Sequence, residues 1–205
     1  MALGTYSELQ AAIIAWAMRS GDTDFATQVP DFVVLCEARL NRILRVREME
    51  TTATLTLASD GTASLPANYL AFRDVTALGY SPARSLDAVS PDYAVDEHPF
   101  DGEPPQHFSI TGSTLRTHPK GSGTVRLRYF QAIPALAANA TNWLLSKSPG
   151  VYLYGSLLEA APYMFDDSRM QVWSAMFDKA VSDLVSEDHQ AKYMRGRVRP
   201  QGATP

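Results

Sequence analysis

Cysteine and histidine are scarce in this 205-residue sequence, at one and four residues, and neither type is clustered. Cys36 has no internal disulfide partner, and it lies among Phe32, Leu35, Leu40 and Ile43, which marks it as a small buried hydrophobe rather than a nucleophile. His98, His107, His118 and His189 are scattered, and no H-E-x-x-H, C-x-x-C, phosphate loop or G-x-S-x-G occurs. The nearest approach to a metal cluster is Asp96-Glu97-His98, whose adjacent side chains would point in different directions, so a polar loop is the simpler reading. Catalytic residues, cofactors and metals are all expected to be none. Long hydrophobic runs are also missing: Ala11 to Met18 is too short to cross a bilayer, and Met1 to Gly4 carries no basic leader region. The expectation is a soluble cytoplasmic product without a membrane partner. In that compartment the sequon Asn139-Ala140-Thr141 has no consequence.

Positive charge is outnumbered, with 18 Lys and Arg against 22 Asp and Glu for a formal net charge of −4. A chain of this balance does not grip nucleic acid with its whole surface, because phosphate binding needs net positive faces. The distribution carries more information than the sum. Between Leu86 and Pro105 there is no Lys or Arg, yet Asp87, Asp92, Asp96, Glu97, Asp101 and Glu103 all fall there, which reads as a solvated acidic loop. Between Ala191 and Arg199 the bias reverses, with Lys192, Arg195, Arg197 and Arg199 beside Gly and Pro, a composition expected to be disordered in the lone subunit.

Thr5 and Glu8 form a capping box, and Leu9, Ile13, Trp16 and Ala17 recur at helical spacing up to Ser20-Gly21. Pro30 suits the first turn of a second helix ending near Arg47, with Phe32, Leu35, Cys36, Leu40, Ile43 and Leu44 on its apolar face. Arg39 projects close to that face, where it snorkels, reaches a buried carboxylate or meets a neighbouring subunit. After Glu50 the period becomes two, and Asp60-Gly61 turns the chain from Thr52–Leu57 into Thr62–Leu65 as a β-hairpin. Further strands are expected at 74–78, 107–110, 114–117 and 124–130, and a short helix after Ser90-Pro91. Ser148-Pro149 starts another helix, which Pro162 ends or kinks. Asp166-Asp167 would cap a last helix with the stripe Met170, Trp173, Phe177, Val181 and Leu184, a simpler role than acid–base chemistry. Tyr152, Tyr154 and Trp143 could stack bases, but no basic residue lies between Val151 and Asp167, so core packing is favoured.

The expected fold class is therefore α+β: mainly a helical bundle formed by both chain ends, with an inserted small antiparallel β-region. Residues 1–50 and 132–190 would form the bundle, 51–131 the insertion and 191–205 a flexible basic tail.

Several segments resemble one family in order along the chain. They are Phe32-Val33-Val34-Leu35-Cys36-Glu37-Ala38-Arg39-Leu40-Asn41-Arg42, Met49-Glu50-Thr51-Thr52-Ala53 and Leu65-Pro66-Ala67-Asn68-Tyr69-Leu70. They continue in Ile133-Pro134-Ala135-Leu136, Thr141-Asn142-Trp143-Leu144-Leu145 and the stretch Tyr152 to Tyr163. The family is that of the phage head-to-tail adaptor (connector) proteins; residues 79–105 match it less clearly. The resemblance implies a structural virion protein and not an enzyme. It implies a dodecameric homo-oligomeric ring docked beneath the portal protein, a downstream tail component as second partner, and dsDNA passing through without specific binding. Location would be the head-tail junction of the virion, after assembly from the host cytoplasm. Lys192, Arg195, Arg197 and Arg199 are the expected portal-docking residues, and Arg39 and Arg42 the expected subunit-interface residues. Two other readings remain. One is another head-closure or tail-completion protein; the other is a nucleic-acid-binding accessory factor using Arg39, Arg42, Arg45 and Arg47 with the tail, although Glu37, Glu48 and Glu50 interrupt that basic run.

Overall fold

A computed structural model describes residues 3–92, 104–164 and 167–193. The chain divides into two compact units, one of Met1–Arg47 with Ile133–Pro205 and the other of Glu48–Ala132.

The first unit is helical. Its helix α1 (Tyr6–Trp16) begins with the capping box: Glu8 N–H donates to Thr5 Oγ1 at 3.3 Å, while Glu8 Oε2 accepts from Thr5 N–H at 3.0 Å. Helix α2 (Thr23–Ile43) starts two turns before the expected Pro30, because Asp22 Oδ1 accepts from Phe25 N–H at 3.0 Å and caps an earlier turn. Phe25 and Val29, both fully buried, extend the apolar face of Phe32, Val33, Cys36 and Leu40 backwards by 3.6-residue spacing. That packing outweighs the helix bond that Pro30 forgoes. A short α3 (Trp143–Lys147), capped by Asn142, was not foreseen. Helix α4 (Pro149–Met164) begins at the expected proline and runs through Pro162 to Met164. Helix α5 (Asp167–Tyr193) buries Trp173, Phe177 and Leu184 of the expected stripe. The central α4 packs against α1, α2, α3 and α5. Its Gly155 marks the tightest approach, where an added Cβ would lie 2.5 Å from Cys36 Sγ and 3.0 Å from Phe177.

The second unit overturns the expected fold class. Of the described residues 47% are helical and 25% strand, and the strands form one seven-stranded, nearly closed, barrel-like mixed sheet, not a small antiparallel insertion in a mainly helical bundle. After a 3-10 turn at Arg47–Met49 come β1 (Glu50–Leu57), β2 (Thr62–Ser64), β3 (Tyr69–Ala77), β4 (Arg84–Ala88), β5 (His107–Thr111), β6 (Thr114–His118) and β7 (Gly123–Gln131), in the order β1-β7-β3-β4-β5-β6-β2. The Asp60-Gly61 turn does form, with Gly61 at φ +76° and Ala58 N–H donating to Thr62 O at 2.8 Å. The strands it joins then part: β1 pairs with β7 and β2 with β6, so the turn connects the two outermost strands of the sheet instead of closing a hairpin. The unforeseen strand β4 sits at the start of the acidic stretch with Leu86 as its one buried residue, too sparse a pattern to show period two. It pairs antiparallel with β3 and parallel with β5, and the parallel step makes the sheet mixed. Leu57, Val75, Phe108, Leu115, Val125, Leu127 and Tyr129 lead its apolar core.

Candidate interaction surfaces and polar sites

In the helical unit, Arg39 extends from α2 to Glu159 of α4, with Nη2 2.7 Å from Oε1, and its guanidinium lies 5.9 Å from the Phe177 ring centre. Beside this pair an open groove of about 670 Å³ runs over Leu158 and Pro162 between walls that include Met170 and Ala175 of α5. Leu35 and Ile43, expected on the buried face of α2, are half exposed together with Val34. On α5, Val172 and Met176 are exposed one turn apart. The unit therefore carries apolar surface on two different helices.

The basic run does not make a free phosphate stripe. Arg42 Nε donates to Ala38 O at 3.3 Å, and the Arg45 guanidinium donates to the carbonyls of Asn41 and Leu44 at the end of α2. Arg47 meets the buried Asp188 carboxylate at 2.7 Å. Of the residues expected to dock on a portal, Lys192 falls in the last turn of α5, while Arg195, Arg197 and Arg199 lie outside the described residues. Asp96-Glu97-His98 and Asp166 lie outside them too, and Asp167 is the first residue of α5. Among the described residues no cluster of three His, Cys, Asp or Glu could hold a metal ion, and no helix is long and apolar enough to cross a membrane.

Cys36 is fully buried, as its neighbours implied, and burial pushes its thiol up to about 12. Next to it lies a polar node invisible in the sequence. Glu37 Oε1 accepts from Leu136 N–H at 2.9 Å and from Tyr152 O–H at 3.2 Å; Tyr152 in turn accepts from Asn142 Nδ2 at 2.7 Å. Asn142 also donates to Pro134 O and accepts from Leu145 N–H, and Asn41 Oδ1 accepts from Ile133 N–H. Burial raises the Glu37 carboxyl above its ordinary range, while these hydrogen bonds oppose the rise. The node ties α2, residues 133–142 and α4 into one body. Its donors and acceptors occur within the segments Glu37–Arg42, Ile133–Leu136, Thr141–Leu145 and Tyr152–Tyr163 that carry the resemblance.

In the β-unit, Glu50 pairs with Arg73 at 2.8 Å and lies 3.9 Å from Arg128, which also meets Asp74 at 3.0 Å. A second polar contact joins Ser109 Oγ and His118 Nε2 at 2.8 Å, with both residues buried. The segments H-F-S-I-T and T-L-R-T-H alternate enough to suggest strands, but only their register brings these two side chains together.

The family model for the SU10 adaptor protein matches residues 4–201, from α1 past the end of α5. The chain belongs to the SU10 adaptor protein family. This is a phage head-to-tail adaptor family, as the ordered segments implied, so the adaptor is a structural virion component of a bacteriophage. No curated protein sequence matches it. Membership of this family implies association with portal and tail components, and Arg39, Arg42, Arg45 and Arg47, which the nucleic-acid accessory reading invoked with the tail, each make a contact within the helical unit and form no continuous phosphate stripe.

Proposed function

We propose that this adaptor forms a homo-oligomeric ring, dodecameric as its family resemblance implies, beneath the portal, joins the capsid vertex to the tail, and lets DNA pass during ejection. The family match over residues 4–201 is the observation that carries this reading. A closed ring needs two different surface patches that fit each other, and the exposed apolar residues of α2 and α5 supply patches of the right kind. Arg42, exposed at the edge of the α2 patch, and Arg39, whose side chain is 41% exposed while it holds Glu159, serve as polar contacts between subunits. Lys192, Arg195, Arg197 and Arg199 dock on the portal, which couples ring closure to the presence of the correct partner. The net negative chain disfavours retention of the passing dsDNA, since like charge resists phosphate.

Portal co-sedimentation with the Lys192, Arg195, Arg197 and Arg199 side chains all replaced by glutamate tests the docking step. Loss of portal binding, with an unchanged circular dichroism spectrum, is the expected result. Undiminished binding would contradict it.

A further inference from the structure

One face of the strands β2, β6 and β5 is polar across all three. Register sets Thr62 opposite Arg116 and Arg116 opposite Ser109, and His118 falls on the same face two residues beyond Arg116. The reverse face carries Ala63, Leu115 and Phe108 into the core. A polar face of this kind is ordinarily wet, yet Ser109 and His118 are only 3% and 8% exposed. They form, at 2.8 Å from each other, part of the wall of a recess of about 270 Å³ that also takes in Thr62, Thr114 and Arg116. No carboxylate is among its described lining residues. Arg116 is exposed and makes no ion pair among the described residues. Asp60, whose carboxyl feels the Arg116 charge, is already engaged by the Thr62 N–H at 3.1 Å and the Thr62 hydroxyl at 2.7 Å.

We propose that this recess binds a small oxyanion of the phosphate or carboxylate type. Arg116 supplies the charge and a planar fork of donors, and the hydroxyls of Ser109 and Thr114 supply further donors. In this arrangement His118 Nε2–H donates to Ser109 Oγ, which holds the hydroxyl in place and leaves its single proton for the anion, so the recess is organised before the anion arrives. Size argues in the same direction, because drug-sized ligands need roughly 300 Å³ or more, whereas a tetrahedral ion or a single carboxylate fits in less. The proposal concerns the β-unit alone and does not depend on ring formation or portal docking.

The test follows backbone amide resonances of the full-length ¹⁵N-labelled protein during titration with inorganic phosphate and, separately, with acetate, at constant ionic strength against chloride. Saturable shifts centred on Thr62, Ser109, Thr114 and Arg116 are expected. Arg116→Gln should weaken that binding by roughly tenfold or more, the worth of one charged hydrogen-bond partner. Arg126→Gln, which alters an exposed arginine on β7, should leave it intact. Saturation by phosphate alone assigns a tetrahedral anion, and saturation by acetate assigns a carboxylate such as an acidic side chain of a partner would supply. The proposal is overturned if neither anion saturates, or if Arg116→Gln binds as tightly as the native chain.

Discussion

The two units hold themselves together by different means. The helical unit buries a charged or polar group at a junction of three segments, so that Glu37, Tyr152 and Asn142 satisfy one another and the backbone of the connecting stretch 133–142. The β-unit keeps its carboxylate–arginine contacts near the surface, at Glu50, Arg73, Asp74 and Arg128, and relies on an apolar interior closed by strand register. A buried polar node is intolerant of partial loss, because each removed partner leaves another group unsatisfied. A surface ion pair is tolerant, since water replaces what is removed.

Substitutions can break or sharpen this contrast. The largest effect is expected from Leu127→Ala, which opens a cavity at a fully buried position of the β-unit and should cost about 3 kcal/mol in urea unfolding. In the helical unit, Gly155→Ala pushes a methyl group into Cys36 and Phe177 and should cost about 2 kcal/mol. Adding Cys36→Ala frees space for that methyl, so the double variant should be more stable than the sum of its parts; strict additivity would mean that the contact is not the cause.

Glu37 gives a subtler signature. Because burial raises its carboxyl, the folded chain holds this proton more tightly than the unfolded chain, whose value is near 4.3. Its contribution to stability is full below that unfolded value and is lost as pH rises through the raised folded value. Glu37→Gln should flatten this part of the stability–pH curve, and a parallel curve for the variant would show that another group titrates. The smallest effect belongs to Glu50→Gln, which should change β-unit stability by less than about 1 kcal/mol, because Arg73 and Arg128 are half exposed.

The same contrast explains what the sequence disclosed. Helices rest on local signals, and Thr5 with Glu8, Pro149 and the stripe through Trp173, Phe177 and Leu184 were all legible in advance. Pro30 misled because a good first-turn residue stood inside a helix that Asp22 had already capped. The sheet depends on partners far apart in the chain. Asp60-Gly61 signalled a turn correctly, but nothing local states that β1 goes to β7 and β2 to β6. Strand β4, with a single buried leucine in a charged setting, had no period to detect. The polar sites were hidden for the same reason: Glu37 and Tyr152 are 115 residues apart, and Ser109 meets His118 only through register. Family membership was legible because it lies in ordered segments rather than in any one residue.

The central claim is that this chain is the portal-docked adaptor, and native mass spectrometry of the purified subunit mixed with a cognate portal ring tests it most directly. The account predicts a stable complex in which subunits add in the symmetry of the portal. A portal that keeps its own mass at saturating subunit concentration would contradict it.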